Sequence, residues 1–151
     1  MRVHLLETQT MIPATRREVF GFFSDASNLE RITPPSLGFT IRTPLPICME
    51  EGALIDYTIL LHGLPMRWRT RISVWNPPSE FIDEQLIGPY KKWIHHHTFE
   101  EVAGKTLMRD RVDYALPFSP FGDLVLPWVR NELRGIFEFR RQAILSIFPD
   151  H

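Results

Sequence analysis

The chain has 151 residues, 44% of them hydrophobic and 23% charged, with a formal net charge of −1. That size suits one domain able to bury a core without a disulfide or metal, and the balanced charge supplies no global field to draw in nucleic acid or an anionic membrane. The lone cysteine, Cys48, excludes an internal disulfide; no run approaches the roughly 20 apolar residues of a membrane span, and the Met1-Arg2-Val3-His4 start lacks a signal-peptide pattern, so a cytoplasmic protein without an integral membrane segment is expected.

Taken in order, residues 3–12 read as a first strand that Pro13 ends. Thr15-Arg16-Arg17-Glu18 is a capping box ahead of Val19-Phe20-Gly21-Phe22-Phe23, which predicts a short helix. Ser27-Asn28-Leu29-Glu30 repeats the signal, predicting a second short helix that Thr33-Pro34-Pro35 stops. Six strands are predicted at 38–43, 53–61, 66–76, 80–87, 91–102 and 105–116, separated by Pro- and Gly-marked turns short enough for an antiparallel meander. The period then changes. Val129, Leu133, Ile136, Phe137, Ile144, Ile147 and Phe148 recur at helical spacing, with Pro127 in the first turn or at a kink. The fold class is α+β: a curved seven-stranded antiparallel sheet whose apolar face is covered by the long C-terminal helix, with two short helices after the first strand. Residues 1–151 read as a single domain.

Alternation assigns the faces, because strand side chains repeat every second residue. Met66, Trp68, Thr70, Ile72 and Val74 oppose Arg67, Arg69 and Arg71; Trp93, His95, His97 and Phe99 share one face; Met108, Asp110, Val112 and Tyr114 share another. A two-residue turn at Ala103-Gly104 sets Val102 opposite Lys105, and so His97 opposite Asp110 and Trp93 opposite Tyr114. A tight turn at Gly88-Pro89 would set Gln85 opposite His95 and Asp83 opposite His97. Asp83, Gln85, His95, His97 and Asp110 are therefore expected to cluster on the concave face. At about 100° per residue, Arg140 falls within the apolar stripe of the long helix. A buried guanidinium needs a carboxylate, and Asp83 and Asp110 are the candidates.

The order of elements, with Val19-Phe20-Gly21-Phe22-Phe23-Ser24-Asp25, Asn28-Leu29, Gly52, Asp56-Tyr57, Trp75-Asn76-Pro77-Pro78, Phe81-Ile82-Asp83, the Trp93-to-Phe99 run and Phe137-Glu138-Phe139-Arg140, resembles the START-like superfamily. That group takes in birch-pollen-allergen-like, polyketide cyclase/dehydrase-like and lipid-transfer proteins. The resemblance spans essentially the whole chain and implies a helix-grip fold with a cavity between sheet and helix. It brings no shared catalytic motif, and fold alone does not give function.

The expected partner is an apolar or amphipathic small molecule of the lipid, polyketide, isoprenoid or quinone class. Trp68, Thr70, Gln85, Trp93, His95, Phe99, Tyr114 and Arg140 are the candidate contacts. The resemblance to cyclase/dehydrase members also implies an enzyme reading, with His97 as general base oriented by Asp83 or Asp110, and Arg140 stabilising an oxyanion. The plainer reading of the same residues is a polar network that fixes the sheet. His95 and His97 share a face, as metal ligands would, with Asp110 as a possible third; no metal or cofactor is assigned. Arg67, Arg69 and Arg71 read as a solvated row paired with Asp56 and Glu84 rather than a nucleic-acid contact, although an interaction module carried by that row or by the exposed helix face is a third reading. Nothing in the sequence sets an oligomeric state.

Overall fold

The computed structural model describes residues 1–118 and 120–150. Seven strands run β1 (His4–Ile12), β2 (Thr40–Ile41), β3 (Leu54–Leu61), β4 (Leu64–Asn76), β5 (Glu80–Ile87), β6 (Lys92–Val102) and β7 (Lys105–Ala115). They form one sheet in the order β1-β7-β6-β5-β4-β3-β2, antiparallel throughout. Helix α1 (Arg16–Phe23) and a 3-10 segment at Ala26–Ile32 follow β1, and the 22-residue α2 (Leu126–Ile147) closes the chain. This is the helix-grip architecture expected from the sequence.

Local chemistry accounts for the elements. The Thr15 hydroxyl accepts from the Glu18 amide at 3.2 Å and caps α1. The second cap is Asp25, not the expected Ser27: its carboxylate takes both the Ser27 amide (3.0 Å) and hydroxyl (2.6 Å), so the segment starts earlier. The expected strand at 38–43 pairs only over Thr40–Ile41. Gly38 turns left-handed at φ +51°, and the Arg42 and Thr43 amides both go to the Asp56 carbonyl, which ends the ladder.

The β6–β7 turn has Ala103 at φ +50° and Gly104 at φ +80°, the double left-handed geometry whose twist matches a hairpin. The resulting register pairs Val102 with Lys105, His97 with Asp110 and Trp93 with Tyr114, as read from the sequence. The β5–β6 register differs by two residues: Asp83 pairs with His95, and Phe81 with His97. The Gly88–Lys91 link is four residues long. Its shape is held by the Gln85 side chain, which donates to the Tyr90 carbonyl (2.7 Å) and accepts from the Tyr90 amide (3.1 Å). A two-residue shift preserves faces, so Asp83 remains inward while Gln85 is committed to the loop. Register shifts in β4 at Arg69/Thr70 and Ile72/Val74 add curvature to the sheet.

α2 buries Leu133, Phe137, Arg140 and Ile144 on one stripe. Pro127 sits in the first turn, where its missing N–H costs nothing. The C-terminal half of α2 packs into a dense cluster with α1, β1 and β5–β7: Val19, Phe20, Phe23, Phe81, Phe99, Met108 and Ile144. Phe20 meets Phe99 edge-on at 5.1 Å, and each such buried ring is worth about 1.5–3 kcal/mol. The N-terminal half brings Leu133 toward Trp68, Trp93 and Tyr114, where packing leaves room. On the outer face Arg69 forms a bidentate pair with Asp56, and Arg71 pairs with Glu84.

Candidate functional site

A cavity of about 430 Å³ lies between the concave sheet and α2, within the range of small-molecule sites. β3 contributes Ile55, Tyr57 and Ile59, β4 contributes Trp68, Thr70 and Ile72, and α2 contributes Leu133, Ile136, Phe137 and Arg140. One wall is aromatic. Tyr57 stacks on Trp68 at 5.8 Å, Trp68 meets Trp93 edge-on at 5.6 Å, and Tyr90 leans on Trp93 at 4.8 Å. Near the turn between β3 and β4, His62 packs on Trp128 at 4.5 Å.

The polar part is one connected cluster. His97 Nε2 lies 2.6 Å from Asp83 Oδ2. His95 Nε2 lies 2.8 Å from Asp110 Oδ1, and the two imidazoles stack at 3.6 Å. Arg140 Nη2 donates to Asp110 Oδ1 at 3.2 Å and sits 3.3 Å from His97 Nδ1, which is itself 3.3 Å from Asp110 Oδ1. The guanidinium also lies 5.1 Å above the Phe23 ring. His95, His97, Asp110 and Arg140 are buried, while the Asp83 side chain keeps 18% exposure toward the cavity it lines.

Burial, with His97 alongside, pushes the His95 imidazole down to about 4 against the pull of Asp110 and Asp83, so it is neutral at pH 7. Burial pushes the Asp110 carboxyl up, but the Arg140 charge and the hydrogen bonds from His95 and His97 outweigh it and hold it well below the usual range. The same contest leaves Asp83 lowered, with His97 the main opponent of burial. Burial pushes the Tyr57 phenol far up, so it stays protonated as a donor.

Of the residues singled out in the sequence, Trp68, Thr70, Asp83, Trp93, His95, His97 and Arg140 line the cavity. Asp110 stands behind the imidazoles and orients them. Three others sit outside the lining. Gln85 is spent on Tyr90. Phe99 packs among Phe20, Phe23 and Phe81. Tyr114, 1% exposed, is covered by Trp93, Tyr90 and His4. Tyr57 and Tyr90 were missed. Tyr57 shares the inner face with Ile55 and Ile59, a readable alternation; Tyr90 lies in a loop, where no periodicity applies.

Residues 12–136 match the family model described as polyketide cyclase / dehydrase and lipid transport. The chain belongs to this family. The polyketide cyclase/dehydrase and lipid transport fold recurs in solved structures. ZhuI aromatase/cyclase from Streptomyces sp. R1128 is 13% identical with a TM-score of 0.77, over 96% of this chain and 93% of that one. Ginseng major latex-like protein 151 from Panax ginseng is 13% identical with a TM-score of 0.67, over 98% and 99%. Both likenesses show the fold alone. A nucleoside-diphosphate sugar epimerase from Corynebacterium glutamicum is 27% identical with a TM-score of 0.67, over 93% of this chain and 28% of that one. No curated protein matches the sequence. Among the described residues, no helix is long and apolar enough to cross a membrane.

Proposed function

We propose that this member of the family binds an apolar or amphipathic small molecule, of the lipid, polyketide, isoprenoid or quinone class, between the concave sheet and α2. The observation that carries the reading is the cavity of about 430 Å³ with an aromatic wall and one polar end. Trp68, Trp93, Tyr57 and Phe137 supply apolar contact, and His95, Asp83 and Arg140 fix the polar end of the ligand. A fluorescent apolar probe tests it. The protein binds the probe saturably at one site, and Ile136→Trp, which fills the cavity from α2, weakens binding at least tenfold while the fold persists by circular dichroism. Equal probe binding by both proteins places the probe on the surface and refutes the reading.

The second reading is an acid–base enzyme of the cyclase/dehydrase kind, favoured by the His97–Asp83 contact at the cavity. The geometry argues for binding ahead of it. Both His97 nitrogens are engaged, one by Asp83 and the other by Asp110 and Arg140. His95 Nδ1 stands 3.9 Å from Asp83 Oδ2, and its depressed pKa of about 4 makes it a weak base near neutrality.

A further inference from the structure

Asp83, His95 and His97 are placed to hold a divalent metal ion, and we infer that the polar end of the cavity is an open two-histidine, one-carboxylate site with Asp110 and Arg140 as its outer layer. The inference does not depend on which organic molecule fills the cavity. Each of the three residues offers one ligand atom, and those atoms lie within 4.8 Å of one another. Asp83 Oδ2 is 2.6 Å from His97 Nε2 and 3.9 Å from His95 Nδ1. Ligands about 2.0–2.2 Å from a tetrahedral ion sit roughly 3.3 Å apart, so these spacings bracket what an ion requires.

The second layer is what distinguishes this cluster from a chance His–Asp contact. Asp110 Oδ1 faces the far nitrogen of both imidazoles, His95 Nε2 at 2.8 Å and His97 Nδ1 at 3.3 Å. With its N–H on that side, His95 Nδ1 presents a lone pair toward Asp83, and His97 Nε2 faces the same carboxylate. A carboxylate that fixes histidine tautomers from behind is the usual outer layer of a metal site. Arg140 does not oppose the ion as a free cation, because it is paired with Asp110 at 3.2 Å.

Three protein ligands leave coordination open on the cavity side, for water or a ligand oxygen. Histidine spacing alone points to Asp110 as third ligand; the observed β5–β6 register gives that place to Asp83, and Asp110 stands behind the rings.

Cobalt(II) is the probe, titrated into chelator-stripped protein and followed by visible absorbance, with zinc as competitor. The expected result is one cobalt per chain with the absorbance of a four- or five-coordinate ion, and displacement by zinc. Asp83→Asn, nearly isosteric and partly exposed, lowers affinity at least 100-fold. Asp110→Asn lowers it about 10–100-fold. His96→Gln, on the outer face beside Glu80, leaves it unchanged. The cobalt stoichiometry and zinc displacement on the unaltered protein stand if a variant fails to fold. No saturable binding up to 1 mM (about the weakest useful site) overturns the inference, and so does binding that survives Asp83→Asn but is lost in His96→Gln. Apolar-probe binding in the same stripped sample separates failure of this inference from failure of the ligand reading.

Discussion

Arg140→Met removes the guanidinium but keeps an unbranched apolar stem against Phe23 and Phe137. Asp110, 5% exposed, then keeps its charge inside the core, facing the His95 and His97 rings and a long contact from the Thr8 hydroxyl at 3.5 Å. Breaking a buried pair from one side costs about 3–5 kcal/mol. The surviving imidazole contacts set the expected loss at the lower end, about 3 kcal/mol. In a domain of this size that is a fall in Tm of roughly 6–12 °C. Removing both charges in Arg140→Met/Asp110→Asn takes away the stranded anion, so most of the loss returns, and the two substitutions are non-additive by about 2 kcal/mol. Guanidinium denaturation of the four proteins, stripped of metal, measures the cycle. A single-variant cost below about 1 kcal/mol, or simple additivity, refutes the account of Arg140 as the counter-ion of this cluster.

Further perturbations probe the rest of the site. In metal-free protein the His95 pKa falls from 6.5 unfolded to about 4 folded, so the unfolded state takes up the proton first as pH drops. Stability is full above pH 6.5 and falls by about 3 kcal/mol on the way to pH 4; denaturation midpoints across that window show the slope, and His95→Gln flattens it. Asp83 and Asp110 act in the same direction at lower pH: their folded values lie below 3.8, and their contribution is lost as pH falls through those values. Trp68 Nε1 is buried without a hydrogen-bond partner among the described residues, so Trp68→Phe changes stability by less than about 1 kcal/mol in thermal melts, whereas Trp68→Ala costs roughly 3 kcal/mol. Gln85→Ala removes both hydrogen bonds to the Tyr90 backbone, costing about 1–2 kcal/mol and loosening the cavity wall, which appears as weaker probe binding.

The legible parts of the molecule are those governed by period or by a short turn. The Ala103-Gly104 turn is two residues long and leaves one register for β6 and β7, so the pairing of His97 with Asp110 follows from spacing. Arg140 stands out because an arginine at a stripe position of a helix has to be buried and paired. The β5–β6 link defeats the same logic. Its geometry is dictated by a side chain, Gln85, hydrogen-bonding across five residues to Tyr90, and no pattern of apolar residues encodes that contact. Phe99 and Tyr114 were placed on the correct inner face, yet alternation does not say whether an inward ring meets a cavity or another ring. That depends on where α1 and α2 cross the sheet. The second helix start shifted for a related reason: Asp25 and Ser27 are both good caps, and tertiary packing of Ala26 and Ile32 selects between them.

Native mass spectrometry of the purified protein, with organic extraction of whatever is bound, tests the binding reading most directly. It should show a reproducible one-to-one adduct whose extract is apolar or amphipathic, lost when Ile136→Trp fills the cavity. A clean unliganded mass from several expression hosts, together with no binding of added lipids, polyketides, isoprenoids or quinones, contradicts it.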